Sequence, residues 1–265
     1  MLGRKVKGND EVGILEPIIE RYVLRRPLKG DYAKEIHAEV KGRAQKDFRN
    51  FPMFNAHFEF NEKTGEINGI NTGYGILLNE ALTKDGFWLP TITQARKLDE
   101  AGLLSNGVWR QYGIAVYDGN NPNQGVADKL VKEASKRGWE TPILAPFKAL
   151  KIVKTGAKIG FGKDSEGIIT GEEATEYLKK YFKYQGNSGA LRLYRDTIGS
   201  WGANWNYLDD SDSNGRVDWI CGEATQKNLE VAVLGSIDSV AKQEVAKINE
   251  RLSSAKKAAF DILKQ

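Results

Sequence analysis

The thirteen residues from Asp209 to Cys221, D-D-S-D-S-N-G-R-V-D-W-I-C, set oxygen-bearing side chains at alternate positions ahead of a glycine. A calcium loop uses that spacing, because a hard cation gathers about six to eight oxygens while the glycine makes the sharp turn. Asp210, Asp212, Asn214, the Arg216 carbonyl and Asp218 fall at loop positions 1, 3, 5, 7 and 9, with Gly215 at position 6. Cys221 stands at position 12, where the bidentate carboxylate belongs, so a weak site for Ca²⁺ or Mg²⁺ is the expected chemistry.

A second window carries the same suggestion. Gly162, Asp164, Glu166, Gly167, Ile169, Thr170 and Glu173 fall at positions 1, 3, 5, 6, 8, 9 and 12, with the last carboxylate present and the first absent. Both windows resemble the loop of the EF-hand and related D-x-D-x-[DN]-G calcium sites, and the resemblance covers about two dozen residues. Each window also has a plainer reading. Asn214-Gly215 between aromatic and β-branched runs is a hairpin signal, since both residues tolerate positive φ. Thr170 with Glu173 is a capping box that would start a helix over 171–184.

The acidic loop is set among aromatics. Trp201, Trp205, Tyr207 and Trp219 are interleaved with Asn204, Asn206 and Asp209, which suits either the core of a small sheet or a platform on which a sugar or a base stacks. Other catalytic instruments are scarce. The two histidines, His37 and His57, lie in different elements, which leaves a triad or a His-based zinc site without its parts. Ser188 in G-N-S-G-A misses the nucleophile-elbow spacing. Cys221 follows an aromatic strand and reads as buried and inert. Gly119 and Gly125 lack the spacing of a phosphate loop.

Composition narrows the class. The chain has 265 residues, 40% hydrophobic and 28% charged, as in an ordinary globular protein. No apolar run reaches the ~18 residues that span a bilayer. The segment MLGRKVKGNDEVGILEP lacks a secretory h-region, and a single cysteine suits a reducing compartment, so a cytoplasmic location is expected. A net charge of +4, spread over mixed helical faces, argues against a nucleic-acid partner.

The elements that must position these residues follow from periodicity. Val12, Ile14, Leu15, Ile18, Ile19 and Val23 predict a helix over Asp10–Leu24, and Tyr32, Ile36, Val40, Ala44 and Phe48 predict another over Asp31–Phe48. A hairpin is expected over 57–71 and another over 203–221 around Asn214-Gly215. Between them, a strand at Gly113–Tyr117, a helix over 123–137 ended by Gly138, and a strand at Ile143-Leu144 predict one small α/β crossover. Ser236 opens a predicted helix of about 40 Å reaching Leu263.

The expected fold is therefore α+β, with a helical and α/β part over 1–150 and an aromatic, β-rich part with the long helix over 151–265, or both in one domain. The expected function is a cytoplasmic binding or structural protein. Its candidate ligand residues are Trp201, Trp205, Tyr207 and Trp219, its candidate metal residues Asp210, Asp212, Asn214, Arg216 and Asp218, and 236–265 offers a route to self-association. The alternative is a metal-assisted hydrolase using the acids of 209–218.

Overall fold

The computed structural model describes residues 13–18, 21–119, 124–153, 158–204, 208–211 and 213–223, together with Val245, 248–250 and 252–254. The chain divides into two compact units, Met1–Arg26 with Glu223–Gln265, and Pro27–Gly222. An expected boundary near residue 150 falls inside the second unit.

In the first unit, β1 (Gly13–Ile18) and β2 (Arg21–Pro27) pair antiparallel, with Gly13 opposite Arg25 and Ile18 opposite Arg21. This corrects the helix predicted over Asp10–Leu24. Pro17 has no N–H to give a helix interior, and Ile14, Ile18 and Val23 are β-branched, so the apolar pattern is better served by strands. Of the predicted helix over 236–263, Val245, 248–250 and 252–254 are helical; the remainder lies outside the described residues, and a single helix of that length is not supported.

The second unit opens with α1 (Gly30–Phe48), which buries Ala33, Ile36, Val40, Ala44 and Phe48 along the stripe its sequence predicts. The expected hairpin follows as β3 (Glu59–Asn61) and β4 (Glu66–Asn68). Next comes α2 (Thr72–Thr83), buried nearly all round, as expected of a helix with no wide polar face. Its glycines let neighbours close in: a Cβ on Gly73 would meet the Met53 sulfur at 2.6 Å, and one on Gly75 the Phe147 ring at 2.4 Å. β5 (Phe87–Trp88) and α3 (Ile92–Glu100) lead to β6 (Arg110–Val116), which is buried at every position. Beyond it lie α4 (Gln124–Ser135), β7 (Ile143–Pro146), β8 (Leu150–Val153), β9 (Lys158–Phe161) and β10 (Ile169–Thr170). The unit ends with α5 (Gly171–Tyr181), β11 (Tyr184–Gln185), β12 (Ala190–Arg195), β13 (Trp201–Asn204), β14 (Arg216–Val217) and β15 (Trp219–Glu223).

Six strands form the main sheet in the order β10-β7-β6-β12-β13-β11, so strands from both sides of residue 150 share it. Strand, helix and strand are present where the α/β crossover was expected, but β6 and β7 run antiparallel. The chain leaves β6 at Val116 and re-enters beside it at Ile143, so α4 closes the excursion at one end of the sheet instead of carrying the chain back along it.

The hairpin expected over 203–221 is also replaced. β13 pairs with β12, β14 with β4 (Arg216 opposite Asn68), and β15 with β5 (Cys221 opposite Trp88). Asn214-Gly215 makes a local reversal, while burial of Val217 beside Ile67 chooses a partner strand about 150 residues away. α5 begins where the capping signal placed it, yet the Thr170 hydroxyl makes no cap bond; Thr170 is held in strand pairing opposite Ile143. Among the described residues no helix is long and apolar enough to cross a membrane.

Candidate functional site

β6 is the central strand beside β12, and their pairing slips once. Gly113 stands opposite Leu193 and Gln111 opposite Tyr194, which leaves Tyr112 as an extra residue, a β-bulge. A bulge breaks the alternation of side chains, and here consecutive residues, Arg110, Gln111 and Tyr112, all line one small cleft. Gly113 makes the bend possible. Its φ is +141°, and a Cβ there would lie 2.1 Å from the Ala145 carbonyl oxygen.

The opposite wall comes from β14 and β15, which contribute Arg216, Val217, Asp218 and Trp219, while Ile70, Leu89 and Pro90 supply apolar surface. Arg110 is only 2% exposed and holds Asp218 across the cleft: Nε donates to both carboxylate oxygens at 3.0 and 3.1 Å, and Nη2 donates closely to Oδ2. Its remaining capacity goes to Ser105, with Nη1 on the carbonyl at 2.9 Å and Nη2 on the hydroxyl at 3.3 Å. Burial alone would lower the Arg110 pKa, but the Asp218 hydrogen bonds and charge outweigh it, and the guanidinium stays ionised. Arg216 donates through Nη1 to the Ser213 and Gly215 carbonyls, and its Nε stands 3.6 Å from Glu66, which Lys29 approaches to 3.1 Å.

Two residues that line the cleft each keep a buried polar atom over. Gln111, 5% exposed, donates through Nε2 to the Thr72 hydroxyl at 2.7 Å, but its Oε1 has no hydrogen-bond partner among the described residues. The Tyr112 hydroxyl, on a side chain also 5% exposed, has none either. Burial pushes the Tyr112 pKa far up, so the group is an O–H available to donate or accept. An unpaired buried polar atom costs free energy, so two in one cleft need a reason.

Nine residues were expected from the sequence to bind ligand or metal, and the cleft gathers three of them, Arg216, Asp218 and Trp219. Trp201 lies in the core behind it, 3% exposed, stacked on Tyr112 with ring centroids 5.2 Å apart and its indole N–H on Asp99 at 2.7 Å. Trp205, Tyr207 and Asp212 lie outside the described residues. Asp210 and Asn214 are exposed, and their carbonyls accept from Arg192 Nη1 and the Trp109 backbone N–H.

The acidic loop is pinned by its backbone. The Leu208 carbonyl accepts from the Thr72 N–H at 3.1 Å and the Asp209 carbonyl from Asn71 Nδ2 at 2.8 Å, while Ser211 donates to the His57 carbonyl. Asp218 is engaged by Arg110, and among the described residues, which leave out Asp212, no three of His, Cys, Asp or Glu converge to hold an ion. In the second window, Lys148 stands 3.5 Å from Asp164 and 2.8 Å from Glu166, so one ammonium is shared between the two carboxylates.

Sequence reasoning passed over Arg110, Gln111 and Tyr112. One signal was present: R-Q-Y heads the apolar run G-I-A-V, and charged or amide side chains on a strand this central are buried only with partners or a purpose. Comparison of the chain with family models, curated proteins and solved structures finds no match to any of them.

Proposed function

We propose that the protein is a binding module that takes a small uncharged polar ligand into the cleft beside the β6 bulge. One observation carries this reading: two successive residues at the bulge, Gln111 and Tyr112, line the same cleft, and each has a buried polar atom with no hydrogen-bond partner among the described residues. Unsatisfied groups of that kind cluster where a ligand completes the hydrogen bonding. Trp219 adds an aromatic face and Ile70, Leu89 and Pro90 an apolar rim, the mixture of surfaces by which small-molecule sites both desolvate and orient their ligands.

The test is a screen of small neutral fragments by protein-observed NMR on the full chain. Binding in the cleft shifts the Gln111, Tyr112 and Gly113 amides and the Trp219 indole N–H together, and the shifts saturate. If no fragment moves that set, the cleft is closed to ligands and the reading fails.

A further inference from the structure

We infer that Asn214 is a site of spontaneous deamidation, the one Asn-Gly pair of the chain that the fold leaves open to attack by the following backbone nitrogen. The chain contains three such pairs, Asn68-Gly69, Asn106-Gly107 and Asn214-Gly215. A glycine after asparagine favours the attack, because no Cβ shields its nitrogen. The pairs are alike in sequence, and their hydrogen bonding separates them.

Two of the pairs are locked. The Gly69 N–H donates to the Gly215 carbonyl at 2.9 Å, and Asn68 lies in β4 between β3 and β14 with its Oδ1 buried. The Gly107 N–H donates to the Thr197 carbonyl at 2.7 Å, and Asn106 Oδ1 accepts from Arg195 Nη2 at 2.9 Å. In both pairs the nitrogen must give up a bond before it attacks, and the Asn106 side chain must give up one as well. Asn214 is exposed in a turn, and the Gly215 N–H makes no hydrogen bond among the described residues. An unpaired N–H on a buried glycine is uncommon in a folded chain, and this one can turn to its neighbour with no bond to break. It is the carbonyls on either side that are held: that of Asn214 by the Trp109 N–H at 3.3 Å, and that of Gly215 by the Gly69 N–H and Arg216 Nη1.

Water is the sole co-reactant. The Gly215 nitrogen bonds to Asn214 Cγ, the Cγ–Nδ2 bond breaks, and Nδ2 leaves as ammonia with the proton that the Gly215 nitrogen gives up. Water then opens the cyclic imide. Opening at Cγ leaves aspartate; opening at the Asn214 backbone carbonyl leaves isoaspartate, whose main chain runs through the former side chain and is longer by a methylene. Either product adds a negative charge to a turn that already follows Asp209 and Asp210 and precedes Asp218. The isoaspartyl product also moves the carbonyl that the Trp109 N–H meets and shifts Gly215 relative to Trp109 and Gly69, so β14 loses support where it begins.

The experiment ages the full chain in mildly alkaline buffer, folded and in guanidinium chloride, and follows each pair by peptide mapping with mass spectrometry, separating aspartyl from isoaspartyl peptides. In the folded chain Asn214 is expected to convert at least about fivefold faster than Asn68 or Asn106, the factor for one hydrogen bond that the others must break. In denaturant the three rates are expected to converge. Asn214→Gln should abolish the fast mass gain and leave the slow ones. Hydrogen exchange reads the consequence: the Trp109 and Gly69 amides should exchange faster in the isoaspartyl chain than in Asn214→Asp, which carries the charge without the added methylene. If Asn68 or Asn106 keeps pace with Asn214 in the folded chain, if Asn214 converts only in denaturant, or if the folded ratio persists there, the assignment is overturned. If exchange at Trp109 and Gly69 is equal in the two chains, the effect on β14 is overturned and the site stands.

Discussion

Tyr112→Phe removes a hydroxyl and nothing else, and its effect on stability should be opposite in sign to the usual loss. The hydroxyl is buried on a side chain 5% exposed and has no partner among the described residues, so folding strips it of water without return. An unsatisfied buried polar group costs about 1–3 kcal/mol, and the void left by one oxygen recovers part of that, so the variant should gain about 1 kcal/mol. For a chain of this size that is about 2–4 °C in Tm. Tyr74→Phe is the matched control: its hydroxyl donates to the Phe54 carbonyl at 2.7 Å, and its loss should cost about 1 kcal/mol. Both variants are measured by calorimetry and urea titration at one pH, without added ligand. If Tyr112→Phe falls in stability as Tyr74→Phe does, the hydroxyl is already satisfied in the folded protein, and the premise of the binding site is refuted.

Arg110→Leu strands Asp218 and frees the Ser105 carbonyl, which should cost about 3–5 kcal/mol in urea denaturation, with part recovered when Asp218→Asn is added. Gly113→Ala forces a Cβ to 2.1 Å from the Ala145 carbonyl oxygen at φ +141°, so a loss of at least about 3 kcal/mol, or failure to accumulate as folded protein, is expected on expression and circular dichroism. His37 is stacked on Phe58 and bonded to its carbonyl at 3.2 Å; burial lowers its pKa, with the carbonyl opposing. Because the unfolded chain then binds the proton more readily, stability should hold above the unfolded histidine pKa of about 6.5 and decline as pH falls below it. His37→Gln should flatten that part of the stability profile.

Local pattern sufficed for much of the second unit. The buried stripe of α1, the β3–β4 hairpin around Asn61–Gly65, the strand and helix of β6 and α4, the turn at Gly138 and the start of α5 were all legible, because each rests on contacts within one element or on the φ preference of one residue. α2 was missed. No element was expected over 72–83, where Gly73 and Gly75 permit the close approach of Met53 and Phe147 that buries the helix. The helix expected over Asp10–Leu24 failed for a related reason, since an apolar pattern fits either period until Pro17 is given its weight.

What the sequence by itself determined is the mixed α+β class and the kinds of residue that could do chemistry: acids on a turn, aromatics close by, and few histidines or cysteines. Tertiary structure alone decided which of them meet. Arg110 and Asp218 are 108 positions apart, and no periodicity announces that one will neutralise the other. The slip of one residue between β6 and β12, at the place where Gln111 and Tyr112 line a common cleft, is a property of two strands and not of either one. Pairing across a sheet is fixed by burial summed over the whole core, so the same Asp218 that reads locally as a metal ligand becomes, in the fold, the partner of a buried arginine.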